Sequence, residues 1–151
     1  MKMRNTILAI IVAAFFVGCG GDKPATESGS TEKPKSMVAA KPAKDVGVGP
    51  IKELKLPETI DEALAATGKE IFENKCSACH KINKRFVGPE LAGITARREP
   101  EWIMNMILNP EGMVAENEAA KALLVEYLSP MANQNLTEEE ARSVLEYFRT
   151  L

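Results

Sequence analysis

Five consecutive residues, Cys76-Ser77-Ala78-Cys79-His80, constrain this chain more than any other feature. Two thiols three positions apart on a helical turn share one face, and an imidazole follows directly. Thiols so placed can add to the two vinyl groups along one edge of a porphyrin, while His80 reaches the iron from one side. C-x-x-C-H is the attachment pattern of c-type haem. Three other readings compete. A structural zinc site wants four ligands, yet His80 is the only histidine and the third cysteine, Cys19, is remote. A redox dithiol belongs beside a βαβ pattern, and the flanks here look helical. A disulfide across so short a loop leaves His80 unexplained. One covalent haem c uses all three side chains. It also suits a chain of 151 residues with only 5% aromatics, whose own core would be thin.

With no second histidine, the other axial ligand must be of another type. Methionine is the soft, neutral choice, and Met/His ligation raises the reduction potential. Met37 falls in a proline-rich stretch. Met104 and Met106 fall in an expected helix, where methionines more often pack. Met113 follows Pro110 in an expected loop. Met131 follows Pro130 in a non-helical segment just before the last helix, and that placement favours it as the distal ligand, with Met113 next.

The N-terminus reads as a targeting segment. Lys2 and Arg4 precede an eleven-residue apolar run, Ile7 to Val17. A membrane-spanning helix needs ~20 residues, so the run fits a secretory signal. The ending Phe16-Val17-Gly18-Cys19 resembles a bacterial lipoprotein signal, which implies a signal peptide over 1–18 and a lipidated Cys19. Two or more acyl chains give stable anchoring. Residues 19–57 hold five prolines among Gly, Ser, Thr, Lys and Ala, without apolar period. Such a stretch buries too little to offset the entropy of ordering, and is expected to be a disordered tether with a reach of roughly 30–35 Å.

Residues 58–151 read as an all-α domain. A first helix is expected from near Asp61 to Lys75, a second from Pro100 to before Pro110, and a third over Glu116–Tyr127. Thr137 and Glu140 form a capping box. Behind it, Ala141, Val144, Leu145, Phe148 and Leu151 make one apolar stripe.

The motif, Gly68 to Phe72, Val87-Gly88-Pro89-Glu90-Leu91, Met131 and the Thr137 helix start together resemble a class I c-type cytochrome, over roughly residues 65–151. The resemblance implies a first and last helix crossing at Gly68, with Phe72 and Tyr147 or Phe148 filling the crossing. It implies that the Pro89 carbonyl holds the free ring nitrogen of His80, that Leu91 packs on the haem, and that Trp102 lies near a propionate or in the core. The family usually places a proline after the axial methionine; here Ala132 follows Met131. The stretch 111–129 is longer than in the smallest members, and would cover the lower haem edge or form a partner surface.

Charge points to partners. The net charge is −2, which argues against nucleic acid. From Lys69 to Arg98 there are seven bases and three acids, net +4; from Glu99 to Leu151 there are three bases and ten acids, net −7. Lys75, Lys81, Lys84 and Arg85 flank the motif and would steer an acidic redox partner. The expected function is one-electron transfer, not enzymatic. A lipid-anchored carrier on the periplasmic side of a bacterial membrane would run from a quinol-oxidising complex to a terminal oxidase or a nitrous-oxide-type reductase. The alternative is an open sixth site serving a gas sensor or peroxidase; with no second histidine it lacks the usual base, for which Asn133, Gln134 and Arg97 could only weakly substitute.

Overall fold

The structure, a computed structural model, describes residues 44–151. The expected signal segment, the lipidation candidate Cys19, the tether up to residue 43 and Met37 lie outside the described residues. Within them are six α-helices and no strand: α1 Glu62–Ile71, α2 Ile94–Arg97, α3 Pro100–Leu108, α4 Pro110–Glu116, α5 Glu118–Tyr127 and α6 Glu138–Phe148. No described helix is long and apolar enough to cross a membrane.

The helices start where local chemistry supplies partners for the orphan N–H groups. The Asp61 carboxylate accepts from Ala63 and Leu64 at the start of α1. Thr137 accepts from the Glu140 N–H and the Glu140 carboxylate accepts from the Thr137 N–H, completing the expected capping box. Pro100 and Pro110 occupy first-turn positions, where a missing N–H is no loss. The expected third helix is shared by two. Asn117 is extended (φ −99°, ψ 123°), and its side chain caps α5. The helix before it begins at Pro110, so Met113 sits on a helix and not in a loop. The first helix keeps α geometry only to Ile71, then widens into a π turn, Phe72–Cys76.

The contact of α1 with α6 organises the body. A Cβ on Gly68 would overlap the Ser143 carbonyl, so only glycine permits this approach. Phe72 meets Tyr147 at 5.6 Å between ring centroids and Phe148 edge-on at 6.0 Å. Ala141, Val144 and Leu145 of α6 are fully buried, and α3 packs against the same helix.

The expectation of a disordered chain up to Pro57 is corrected for residues 44–57, and the compact unit starts at least as early as Lys44. This strap lies along α3 with Ile51 buried and Val48, Leu54 and Leu56 packed on the core. It shows no period because side chains of other elements satisfy its backbone. Asn105 Nδ2 donates to the Val46 and Ile51 carbonyls, each at 2.8 Å, and its Oδ1 accepts from the Ile51 N–H at 2.9 Å. The Glu101 carboxylate accepts from the Leu54 N–H at 2.9 Å and from Lys44 at 3.0 Å. Burial pushes the Glu101 carboxyl up, but these bonds outweigh it and hold it below its ordinary value.

Glu146 does the same for α6. It is fully buried, accepts from the Asp61 N–H at 2.7 Å and from Arg149 at 2.7 Å, and pairs with Arg142. Arg149 in turn donates to the Pro57 and Glu58 carbonyls, joining the strap's end to α6. Burial raises the Glu146 carboxyl; the Asp61 N–H and then the two guanidiniums overcome this and lower it below 4.5. The unfolded chain therefore takes up the proton more readily than the folded one. The carboxylate's contribution is full above about pH 4.5 and is lost as pH falls through the lower folded value. Replacing Glu146 by Gln is expected to destabilise the protein by about 3 kcal/mol at pH 7. Urea titrations at decreasing pH should show the gap to the native protein closing in the acid range; a gap independent of pH would contradict this account.

Candidate functional site

The π turn sets the spacing of the motif. Because the turn is widened, the Ser77 N–H goes to the Phe72 carbonyl at 2.9 Å, five residues back. The Glu73 carbonyl is left for the Ser77 hydroxyl, 2.6 Å away. The chain then tightens. The N–H groups of Cys79 and His80 both donate to the Cys76 carbonyl, at 3.1 and 2.9 Å. Cys76, Cys79 and His80 thereby line the same cavity. Both cysteines are free thiols, so the disulfide reading is not met. Burial pushes the Cys76 thiol up, against the opposing charge of Lys75.

Residues 86–92 fold back over the motif. The Gly88 N–H donates to the Cys79 carbonyl at 2.9 Å, and the Leu91 and Ala92 N–H groups donate to Ile82. His80 Nδ1 lies 3.0 Å from the Pro89 carbonyl oxygen. A carbonyl can only accept, so Nδ1 is the donor in this contact and Nε2 is the ring nitrogen left for a metal. Gly88 lies flat against the ring: a Cβ there would come within 2.9 Å of Nδ1 and 3.1 Å of Nε2.

The cavity has a volume of about 470 Å³, within the range of a cofactor site. Leu91, Ile94, Ile103, Val144 and Phe148 are among its apolar walls. Of the expected residues, Cys76, Cys79, His80, Pro89, Leu91, Trp102 and Met131 all line it. Met113 does not. It is fully buried under the strap, where its Sδ accepts from the Val48 N–H at 2.9 Å. Met104 does not line the cavity either, whereas Met106 does. Trp102 lines the cavity, and its indole N–H is given to Asn117 Oδ1 at 3.1 Å.

The long stretch 111–129 closes one side of the cavity through Ala120, Leu123, Leu124 and Tyr127 of α5. Sequence reasoning weighed Arg97 only as a distal polar group and missed Arg98 on the cavity wall, for which no periodic signal exists. Arg97 donates to the Ala92 and Glu90 carbonyls at 2.8 and 2.9 Å, and Arg98 stacks over Trp102. Two thiols, one oriented imidazole nitrogen, a thioether and apolar walls match an iron porphyrin held by its edge and its metal. Among the described residues, no three His, Cys, Asp or Glu side chains come together as a metal cage, whereas a structural zinc site wants four ligands.

Comparison with known proteins agrees with this geometry. A family model described as Cytochrome c matches residues 65–151. Cytochrome c-551 of Ectopseudomonas mendocina is 30% identical over 87 residues, covering 57% of this chain and 99% of that protein. A cytochrome c from Rhodothermus marinus is similar in structure, with a TM-score of 0.66 and 46% identity over 68% of this chain and 88% of that one. The cytochrome c domain of a Pseudomonas putida protein gives a TM-score of 0.51 at 29% identity, covering 55% and 85%.

The flat face of Gly88 yields a test. Gly88→Ala presses a methyl group onto the His80 ring, and the haem-loaded variant is expected to lose about 1–3 kcal/mol of stability. Denaturant unfolding followed at the main haem absorption band measures it. Native stability in the variant would mean that the ring is not held on this face.

Proposed function

The chain belongs to the cytochrome c family, and we propose that it is a single-haem carrier passing one electron at a time from a quinol-oxidising membrane complex to a periplasmic or membrane-bound terminal reductase or oxidase. The family binds haem c covalently and serves haem-based electron transfer. When bound, haem c supplies a one-electron ferric/ferrous couple. The observation that carries the reading is the cavity on which Cys76, Cys79, an oriented His80 and Met131 converge. In this reading Cys76 and Cys79 form the two thioethers, His80 Nε2 is the proximal ligand and Met131 Sδ the distal one.

Each residue then has a physical task. The Pro89 carbonyl fixes the His80 tautomer and makes it a better electron donor to the metal. Thioether sulfur and apolar walls favour the less charged ferrous form and raise the potential. With His80 and Met131 both holding the metal, electron transfer would need no bond making by substrate. The chain is therefore a carrier and not an enzyme. The open-site alternative lacks support, because its distal candidates are committed elsewhere: Arg97 to Ala92 and Glu90, Gln134 to Ala132, and Asn133 to Leu108 and Asn135.

Haem attachment to such motifs takes place outside the bacterial cytoplasm, as the family implies, and a lipidated Cys19 would hold the domain on the periplasmic side of a membrane. An acidic redox partner would meet the basic half. Arg85 contributes less than its charge implies, since it pairs with Glu126 at 3.0 Å and stacks on Tyr127. Lys81 lies over the exposed Phe86 ring and donates to the Ser77 carbonyl. Lys75 and Lys84 form no ion pair among the described residues, so steering falls mainly on them.

Two outcomes are expected. Met131→Ala should abolish the weak near-red band of the ferric protein and turn a reduced form that binds carbon monoxide poorly into one that binds it readily. Indifference to this change would move the ligand to Met106, the other methionine at the cavity. Secondly, oxidation of the reduced protein by anionic hexacyanoferrate(III) should slow as salt rises, and Lys75→Glu with Lys84→Glu should slow it at low salt and flatten that dependence. Stopped-flow rates that ignore ionic strength would remove the steering role.

A further inference from the structure

The segment that carries Met131 packs on the core through Met131 and Leu136 but is tied to the rest of the fold by few hydrogen bonds. Between Leu128, which ends α5 in the left-handed region (φ 52°), and Glu138, which opens α6, the backbone forms no helix. Pro130 has no N–H to give. Gln134 Nε2 turns back to the Ala132 carbonyl at 3.1 Å, and the N–H of Asn135 (φ 53°) turns back to Asn133 Oδ1 at 2.8 Å. Both bonds stay inside the segment. Among the described residues, one hydrogen bond ties Pro130–Leu136 to another part of the fold: Asn133 Nδ2 donates to the Leu108 carbonyl at 3.3 Å.

The acceptor is available for a reason. Leu108 ends α3, and the helical donor to its carbonyl would be the Gly112 N–H. Pro110 starts a new helix there, and the Gly112 N–H goes to Asn109 Oδ1, 3.3 Å away. The Leu108 carbonyl is thus an orphan of the helix end. That end is itself fixed. Asn105, fully buried, bonds Val46 and Ile51, and Asn109 Nδ2 reaches the Val48 carbonyl at 3.2 Å. The strap holds the α3–α4 junction, and the junction holds the Met131 segment through one side-chain amide.

We infer that Asn133 is a positioning residue for Met131, hanging its segment from the strap-braced end of α3 and so limiting how often the thioether leaves the iron. This rests on the reading of Met131 as the distal ligand. Asn133 does not line the cavity and acts only through the backbone it fastens. Losing such a bond raises the population of the released segment by about five- to tenfold. A competing ligand binds the released form, so its apparent affinity rises by the same factor.

The test uses the full-length haem-loaded protein, with imidazole as competitor for the ferric iron. Asn133→Asp keeps the acceptor for the Asn135 N–H and removes the donor to Leu108; Asn133→Ala removes both. Each is expected to bind imidazole about five- to tenfold more tightly than the native protein, with a weakened near-red band. Met131→Ala, measured alongside, should lose that band outright. If it does while both Asn133 variants bind imidazole like the native protein, the positioning role is overturned and Met131 keeps its assignment. A lowered unfolding midpoint with unchanged imidazole affinity overturns it equally, because that is a merely structural loss. If Met131→Ala retains the band, the ligand reading fails and this inference falls with it.

Discussion

The hydrogen bond between His80 Nδ1 and the Pro89 carbonyl is the contact on which the rest of the site turns. It joins two pieces of chain that have no helix in common: the tight turn after the π-helical segment and the returning loop 86–92. It settles which ring nitrogen is protonated and therefore which one is offered to a metal. Gly88 allows the loop to lie against the ring at van der Waals distance. Cys76 and Cys79 need no comparable support, since a covalent link, once formed, holds itself. An imidazole has a ring to orient, and the fold devotes a carbonyl and a glycine to that task.

Much of this was legible in the sequence where it was local or chemically distinctive. The motif, the capping box at Thr137, the prolines opening α3 and α4, and the pairing of Gly68 with aromatics at the α1–α6 contact all depend on neighbouring residues or on a side chain with few other uses. The Pro89 carbonyl lies within hydrogen-bond distance of His80 Nδ1, and Leu91 lines the cavity. What was hidden was set by distant partners. The strap was read as tether because its composition is that of a linker; its order comes from Asn105 and Glu101 on α3, about fifty residues downstream. The break at Asn117 and the π turn at Phe72 were invisible for a related reason. Apolar periodicity runs through both, and only hydrogen bonding to side chains and to displaced carbonyls reveals the change of geometry.

The chain supplements a small apolar core with buried polar groups. Few aromatics are available, and much of the apolar surface faces a cavity that must hold a cofactor. Stability then leans on buried polar fasteners. Glu146 gathers Asp61, Arg142 and Arg149; Glu101 and Asn105 gather the strap. Such groups contribute only when fully partnered, and each of these fastens a helix that lines the cavity, α3 or α6, to a segment that does not.

The covalent cofactor remains the centre of the account. Intact mass measured under denaturing conditions tests it most directly on protein made with a working haem-maturation apparatus. The account predicts a polypeptide heavier by the mass of one haem, with the pigment staying on the chain through acid–acetone extraction. A polypeptide of bare mass, or pigment released into the acetone, would contradict it.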